Sequence, residues 1–180
     1  MRSRAAGIVL RKITHSMKPQ LPQHYVWFFL RLVMGWTFLW GFLDKLFGLG
    51  RTTAPDTSWF SGASPTDGFL ANATSGPFAD VYHQLVGNSV VEWLFMIGLL
   101  CLGVSLILGI GLRLTALFGS LLMLLMWSAV LPPEHNPVVD EHIVYMLVLI
   151  GLAFNRAGHV WGLGTWWADT ALVKKYPFLE

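Results

Sequence analysis

The sequence predicts an all-α integral membrane protein, a four-helix antiparallel bundle with a short extracytoplasmic surface helix. Of its 180 residues, 54% are hydrophobic and only 12% are charged, which is about half the charged fraction of an ordinary soluble domain. Mean hydropathy is +0.56. Four apolar segments are long enough to cross a bilayer, for which about 20 residues are needed. This composition excludes a soluble globular domain, a disordered chain and a nucleic-acid-binding surface.

The four predicted spans lie within one membrane domain, residues 25–167. Their limits are residues 25–47, 90–110, 114–131 and 142–163, and the end of the fourth stays open between Phe154 and Leu163. The fourth span is the least regular because Arg156 interrupts it near one end, so three spans with a re-entrant piece is the alternative. Residues 1–24 and 168–180 are predicted to be cytoplasmic tails, of which the first is strongly basic.

Lysine and arginine are distributed unevenly about these spans. One side holds Arg2, Arg4, Arg11, Lys12, Lys18, Arg113, Arg156, Lys174 and Lys175. On the other side, Arg51 is the one basic residue in the loops, which also carry most of the acidic residues. Because cytoplasmic loops of membrane proteins are enriched in Lys and Arg, both termini are predicted to be cytoplasmic. The protein is predicted to be a multi-pass protein of the cell membrane.

The loop between the first and second spans, residues 48–88, is long and rich in Gly, Pro, Ser and Thr. Within this loop, apolar residues recur at the three- and four-residue spacing of a helix, namely Phe78, Val81, Tyr82, Leu85 and Val86. Such a stripe is one face of a helix, and Pro77 suits its first turn. A surface helix is therefore predicted here, lying over the extracytoplasmic end of the bundle.

Two basic residues lie within the first span. Arg31 and Lys45 share one helical face with Gly35, Phe38 and Phe42. Charged groups inside a membrane are costly and commonly functional, so this face is a candidate polar face directed into the bundle. The alternative is that both side chains reach out to the nearer membrane surface. The two interpretations stay open at this point.

The extracytoplasmic ends of the spans collect ionisable residues. Asp44 and Lys45 end the first span, Glu92 opens the second, and His142 opens the fourth with Tyr145 one turn later. These five are predicted to be catalytic residues, because a His–Tyr pair can pass protons to a reducible ring. A cation between carboxylates could also bind an anion. The predicted site brings Asp44, Lys45, Glu92 and His142 together.

A structural interpretation of the same residues also stays open. Helix N-termini favour carboxylates as caps and as partners of the helix dipole, which would account for Glu92, Asp140 and Glu141. No metal site, haem or iron–sulfur cluster is expected. Cys101 is the single cysteine, the acidic and histidine residues lack a tight ligand spacing, and Gly109-Ile110-Gly111 is interpreted as a tight turn between spans.

A series of short motifs runs along the spans in order. The first span contains residues 30–32, Gly35 and residues 38–46, and the later motifs are residues 64–70, 87–88, 106–113, 136–137, 140–145, 162–164 and 166–167. No single motif is specific, but their order across four spans is. Over residues 25–167 the chain resembles the DoxX/DoxD family of membrane proteins.

The resemblance implies a quinone-linked redox role. DoxD is the membrane subunit of a thiosulfate:quinone oxidoreductase, which oxidises thiosulfate to tetrathionate, passes electrons to quinone and has a second component, DoxA. A thiosulfate-like anion is then expected near Lys45 and Arg51. Quinone is the expected cofactor, and the residues predicted to hold it are Trp40 and Arg31, beside His142 and Tyr145.

A second hypothesis comes from a different class of protein. The chain could be a non-catalytic accessory subunit that packs against a larger respiratory or stress-response complex in the membrane. The absence of a cofactor-binding motif favours this hypothesis, whereas the ionisable residues at the extracytoplasmic end favour the redox subunit. Both hypotheses imply membrane lipid and protein subunits as partners, and neither involves nucleic acid.

Overall fold

The structure, a computed structural model, describes residues 21–180. Most of the basic tail predicted at residues 1–24 therefore lies outside the described residues. Within residues 21–180 the chain is helical and forms no strand. The long helices are α1 (Leu21–Phe47), α4 (Ser89–Leu108), α5 (Leu112–Ala129) and α6 (Glu141–Phe154), and the short ones are α2 (Asp67–Asn72), α3 (Ala79–His83), α7 (Gly164–Asp169) and α8 (Ala171–Lys175).

Three of the four predicted spans coincide with helices that are long and apolar enough to cross a membrane, namely α1, α4 and α5. The fourth helix, α6, is apolar but has only 14 residues. The predicted span ends between Phe154 and Leu163, and α6 ends at Phe154, the earlier of these limits. It ends there because Asn155 bonds back to the Gly151 carbonyl and Arg156 adopts a left-handed backbone with φ of 47°.

The connection between α4 and α5 is the tight turn that its two glycines predict. Gly109 and Gly111 have φ values of 75° and 61°. Glycine adopts this left-handed conformation without the steric cost that a side chain would add. The Gly109 amide donates to the Ser105 carbonyl, which closes the C-terminus of α4. The turn therefore places the starting residues of α5 directly beside the last residues of α4.

The helices pack in two closely joined pairs. α1 lies along α4 and α5 lies along α6, whereas α4 and α5 meet over much less of their length. Gly103 permits the first pairing, because a Cβ there would lie 2.7 Å from the Leu39 amide nitrogen. The shared core contains Met34, Phe38, Leu99, Leu102, Leu106, Leu112, Met123, Leu149, Leu152 and Ala157.

The two ends of the helix bundle differ. We call the end that carries loop 48–88 the outer end, and the end that carries the 109–111 turn the inner end. At the outer end, the Ser75 amide bonds to the Ala129 carbonyl at 2.8 Å. At the inner end, the Leu163 amide bonds to the Leu108 carbonyl at 2.8 Å. The loop and the C-terminal segment thus each cover one end of the described helices.

The predicted surface helix forms, but it is shorter than its apolar stripe. Pro77 lies in a 3₁₀ turn, and α3 follows from Ala79 to His83. The Tyr82 hydroxyl donates to the Leu125 carbonyl of α5 at 2.9 Å, which holds α3 at the outer end. Phe78 and Val81 are exposed, so only part of the predicted face meets the bundle.

Candidate functional site

A large groove lies between α4 and α5, and we call it the α4–α5 groove. It has a volume of about 720 Å³. Apolar and small side chains form its walls, including Leu94, Phe95, Gly98, Cys101 and Ser105 of α4, and Thr115, Phe118, Leu122 and Leu125 of α5. α4 and α5 contact each other over much less of their length than each contacts its paired helix, and the groove lies between them.

Residues of the outer loop close one end of the groove. Pro65, Thr66, Phe69 and Leu70 line it beside α2, and Tyr82 and Leu85 line it from α3 and the following turn. The Asp67 carboxylate accepts from the Gly87 amide at 2.8 Å. This bond ties the α2 segment to the chain just before α4. The outer end of the groove is therefore covered by two loop segments. Hydrogen bonds join these segments to each other and to α5.

Lys45 is the one charged residue among the described residues that line the groove. Its Nζ atom lies 5.9 Å from the centre of the Phe95 ring, a cation–π distance. None of the ion pairs within residues 21–180 includes Lys45. An ammonium group at the end of an apolar groove is poorly compensated, so a ligand oxygen placed there would stabilise it.

Asp44, the neighbour of Lys45, has a structural set of partners. Its carboxylate is 1% exposed and accepts from the amides of Arg51, Thr52 and Thr53 at 3.2, 2.8 and 3.0 Å. The Thr52 hydroxyl donates a fourth bond at 2.6 Å. Successive amides that converge on one anion form a nest. Asp44 therefore anchors the turn that follows α1.

Arg31 lies at the inner end and is fully buried. Its Nη1 donates to the carbonyls of Leu106 and Ile107, the second at 2.8 Å, and Nη2 donates to the Trp161 carbonyl at 3.4 Å. The last carbonyls of a helix lack partners within it and carry partial negative charge. Arg31 supplies those partners for α4, and it joins α4 to the segment that follows α6.

His142 and Asp140 are in direct contact at the start of α6. The His142 Nδ1 atom lies 2.7 Å from Asp140 Oδ2. The other oxygen of Asp140 accepts from the amides of His142 and Ile143 at 3.0 and 3.3 Å. Asp140 is thus the helix cap that the structural interpretation predicts, and it also orients the imidazole. Tyr145 follows one turn later and packs against the core.

The predicted convergence of Asp44, Lys45, Glu92 and His142 is not made by direct contacts. Within residues 21–180, no hydrogen bond or ion pair joins the side chains of any two of them. Neighbouring residues of a helix point about 100° apart, so Asp44 turns to residues 51–53 while Lys45 lines the groove. Glu92 lies in the first turn of α4.

Trp40, which was predicted to hold the quinone, lies away from the groove. The Trp40 ring centre lies 5.7 Å from that of Trp36. Trp40 is partly buried and does not line the α4–α5 groove. In the described part of the chain, no group of three His, Cys, Asp or Glu residues is placed to hold a metal ion.

Sequence reasoning missed the groove and most of its lining. Leu94, Gly98, Cys101 and Ser105 recur at spacings of three and four residues, which places them on one helical face. Three of the four have small side chains, and small residues also mark faces on which membrane helices pack closely. The signal for a concave surface was therefore present but was not distinguishable from a packing face.

A family model described as DoxX matches residues 26–132, more than half of the chain. The chain belongs to the DoxX family. No match is found among curated proteins or among solved structures. The matched region of this DoxX protein includes every residue that lines the groove, from Lys45 to Ala129. Helix α6, with His142 and Tyr145, lies beyond it.

Proposed function

We propose that this membrane-associated DoxX protein is the membrane subunit of a quinone-linked oxidoreductase and binds quinone in the α4–α5 groove. The groove is the observation that carries the proposal. Its volume of about 720 Å³ lies within the range of about 300–1,000 Å³ typical of small-molecule sites. Its walls are apolar and one cation stands at its outer end, which suits a ring with carbonyl oxygens and a long apolar tail.

The groove defines how a quinone would lie. The ring would occupy the outer end, where the Lys45 ammonium can donate to a ring carbonyl beside Thr66. The tail would run inward along Cys101 towards Ser105 and Thr115. A ligand in this orientation reaches the groove sideways from the lipid, because the outer loop covers the outer end. Lys45 is then a binding residue that positions the ring.

Thiosulfate is the proposed reductant, and this part of the proposal rests on the motifs shared with DoxD. Two thiosulfate ions each lose one electron and join through a new S–S bond to give tetrathionate. The quinone takes up the two electrons together with two protons and becomes quinol. A partner subunit is included in the proposal, since DoxD works with DoxA. Arg51 is exposed on the turn beside Lys45 and supplies positive charge for the arriving anion.

The proposal also includes four antiparallel spans with both termini in the cytoplasm. α6 has 14 residues, which is about 21 Å of helix at 1.5 Å per residue. The 3₁₀ turn Ala157–His159 follows it at the inner end. The uneven distribution of Lys and Arg supports this orientation, since basic residues favour the cytoplasmic side.

Thiol labelling of intact cells tests the orientation. In a Cys101→Ser background, we expect a cysteine introduced as Phe178→Cys to resist a membrane-impermeant reagent until the cells are opened. Phe178 is exposed at the inner end. The matched control is Phe60→Cys, because Phe60 is 80% exposed in the outer loop and should be labelled at once. Labelling of position 178 in intact cells would contradict the proposed orientation.

Two variants test the groove itself. We expect Lys45→Met to weaken quinone binding about tenfold, the effect of losing one charge-assisted hydrogen bond. Gly98→Phe should abolish binding by filling the groove, because the space beside Gly98 is open and nothing lies within 4 Å of an added Cβ. The measurements are quinone extracted from protein purified in mild detergent, and thiosulfate-dependent quinone reduction by membranes.

Lys174→Met is the matched control for these variants. Lys174 is exposed at the inner end and pairs with Asp169 at 3.1 Å, so both readouts should equal those of the wild type. If Lys45→Met and Gly98→Phe retain full binding at normal expression, the groove is not the quinone site. If the wild type contains no quinone, lacks activity and purifies in a stoichiometric complex, the accessory-subunit hypothesis replaces the redox subunit.

A further inference from the structure

We infer that the inner end of this DoxX protein carries a second site, which binds the phosphate group of an anionic lipid between Arg113, Arg156 and His159. In the structure, the side-chain carboxylate of Glu180 occupies the centre of these three residues. The inference is independent of the proposed quinone function, because it concerns the opposite end of the bundle and uses none of the residues that line the groove.

The contacts of Glu180 define the site. Its Oε2 lies 3.0 Å from Arg113 Nη2. Its Oε1 lies 3.1 Å from His159 Nε2 and 3.7 Å from Arg156 Nε. Arg113 also donates to the Pro177 carbonyl at 2.8 Å. The two oxygens of one anion therefore contact basic groups from two parts of the fold, and arginine binds the oxygens of carboxylate and phosphate alike.

The three basic residues converge because the turn between α4 and α5 and the turn after α6 lie side by side at the inner end. Arg113 stands in the first turn of α5, directly after the 109–111 turn. Arg156 directly precedes the 3₁₀ turn that follows α6, and His159 is the last residue of that turn. A void of about 10 Å³ lies between these elements beside Glu180, which is room for about one water molecule. Removal of the carboxylate would enlarge this space and leave its donors without an acceptor.

The surroundings of the site indicate a lipid as the source of the phosphate. Trp161, Trp166, Tyr176 and Phe178 are exposed at the same end of the protein. Exposed aromatic residues of this kind mark the level of the membrane surface, and basic pockets between membrane helices bind anionic headgroups. Two arginines and a histidine face the single side-chain carboxylate of Glu180, so a headgroup phosphate would compete with that carboxylate for the same donors.

Native mass spectrometry of the whole protein, released from detergent micelles, tests the inference. The probes are phosphatidylglycerol, phosphatidylcholine as the zwitterionic control, and inorganic phosphate as the water-soluble source of the same group. We expect phosphatidylglycerol to bind at least several-fold more tightly than either of the others. Glu180→Gln should raise the affinity for phosphatidylglycerol several-fold, because this variant removes the competing charge and keeps the shape of the side chain.

Variants of the basic residues should change the lipid affinity in the opposite direction to Glu180→Gln. Combined Arg113→Gln and Arg156→Gln should lower the affinity for phosphatidylglycerol about tenfold or more. Lys174→Gln, which removes an exposed charge at the same end, should have no effect. The Gly98→Phe variant that fills the groove should retain lipid binding, so failure of this inference and failure of the quinone proposal are distinguishable.

Three results would overturn the inference. The first is equal affinity of the wild type for phosphatidylglycerol and phosphatidylcholine. The second is an unchanged or lower affinity in Glu180→Gln, which remains informative even if the arginine variants do not fold. The third is binding of inorganic phosphate as tight as that of phosphatidylglycerol, which would assign the anion to the aqueous phase instead of the membrane.

Discussion

We expect the replacement of Arg31 with leucine to lower the stability of the protein more than the replacement of Asp44 with asparagine. The buried guanidinium bonds to the carbonyls of Leu106, Ile107 and Trp161, and leucine leaves all three without a donor. Each hydrogen bond to a charged group contributes about 1.5–3 kcal/mol. Because the contributions are not additive, we expect a total loss of about 4 kcal/mol.

The effect of Arg31→Leu is measured as the melting temperature of the purified protein in detergent. A loss of this size lowers it by about 10 °C for a chain of this length. Arg31→Lys should lie between the wild type and the leucine variant, since one ammonium group cannot reach both sets of carbonyls. Val33→Ala is the control, because Val33 is exposed two residues away on the same helix. A leucine variant that melts like the wild type would show that Arg31 does not hold the inner end together.

Replacing Asp44 with asparagine releases the turn that follows α1. The carboxylate accepts four hydrogen bonds from residues 51–53. Asparagine has the same size, but its amide nitrogen is a donor and cannot accept from the amides that face it. We expect a loss of about 2–3 kcal/mol, the cost of leaving buried donors unsatisfied.

Limited trypsin digestion detects this release directly, because Arg51 is exposed and lies within the turn. Cleavage after Arg51 should become faster in Asp44→Asn, since local opening governs proteolysis of a folded segment. Lys45→Met is the matched control, because Lys45 is the next residue and makes none of these bonds. Equal cleavage rates in Asp44→Asn and the wild type would contradict the anchoring role of Asp44.

Substitutions at the neighbouring residues Asp44 and Lys45 are expected to affect different properties, the stability of the fold and the binding of a ligand. Asp44 was predicted to be catalytic, but all its observed partners belong to the turn that it anchors. Lys45 was predicted from the same cluster, and its Nζ atom faces Phe95 at the outer end of the groove. The first substitution is therefore expected to alter the fold, and the second is expected to alter occupancy of the groove. The predicted proton-transfer role of His142 stays a prediction, since neither His142 nor Asp140 lines the groove.

Features that depend on local chain properties could be predicted from the sequence. Apolar length predicts the helices α1, α4 and α5, the pair Gly109 and Gly111 predicts the turn, and Asp140 predicts the start of α6 by capping. Each of these outcomes depends on residues within a few positions of one another. The end of the fourth span was left open between Phe154 and Leu163, because apolar composition does not reveal the backbone geometry of Asn155 and Arg156 with which α6 ends at Phe154.

The candidate site was decided by tertiary structure. In a membrane, a face that meets lipid and a face that lines a groove are both apolar, so helical periodicity cannot separate them. The groove exists because α4 packs on α1 and α5 packs on α6, while α4 and α5 contact each other over a much smaller part of their length. The sequence by itself determined that Lys45 lies at the outer end of the first span. Only the packing of α4 against its neighbours, with the outer loop folded over them, determined that this ammonium group stands at the end of a groove.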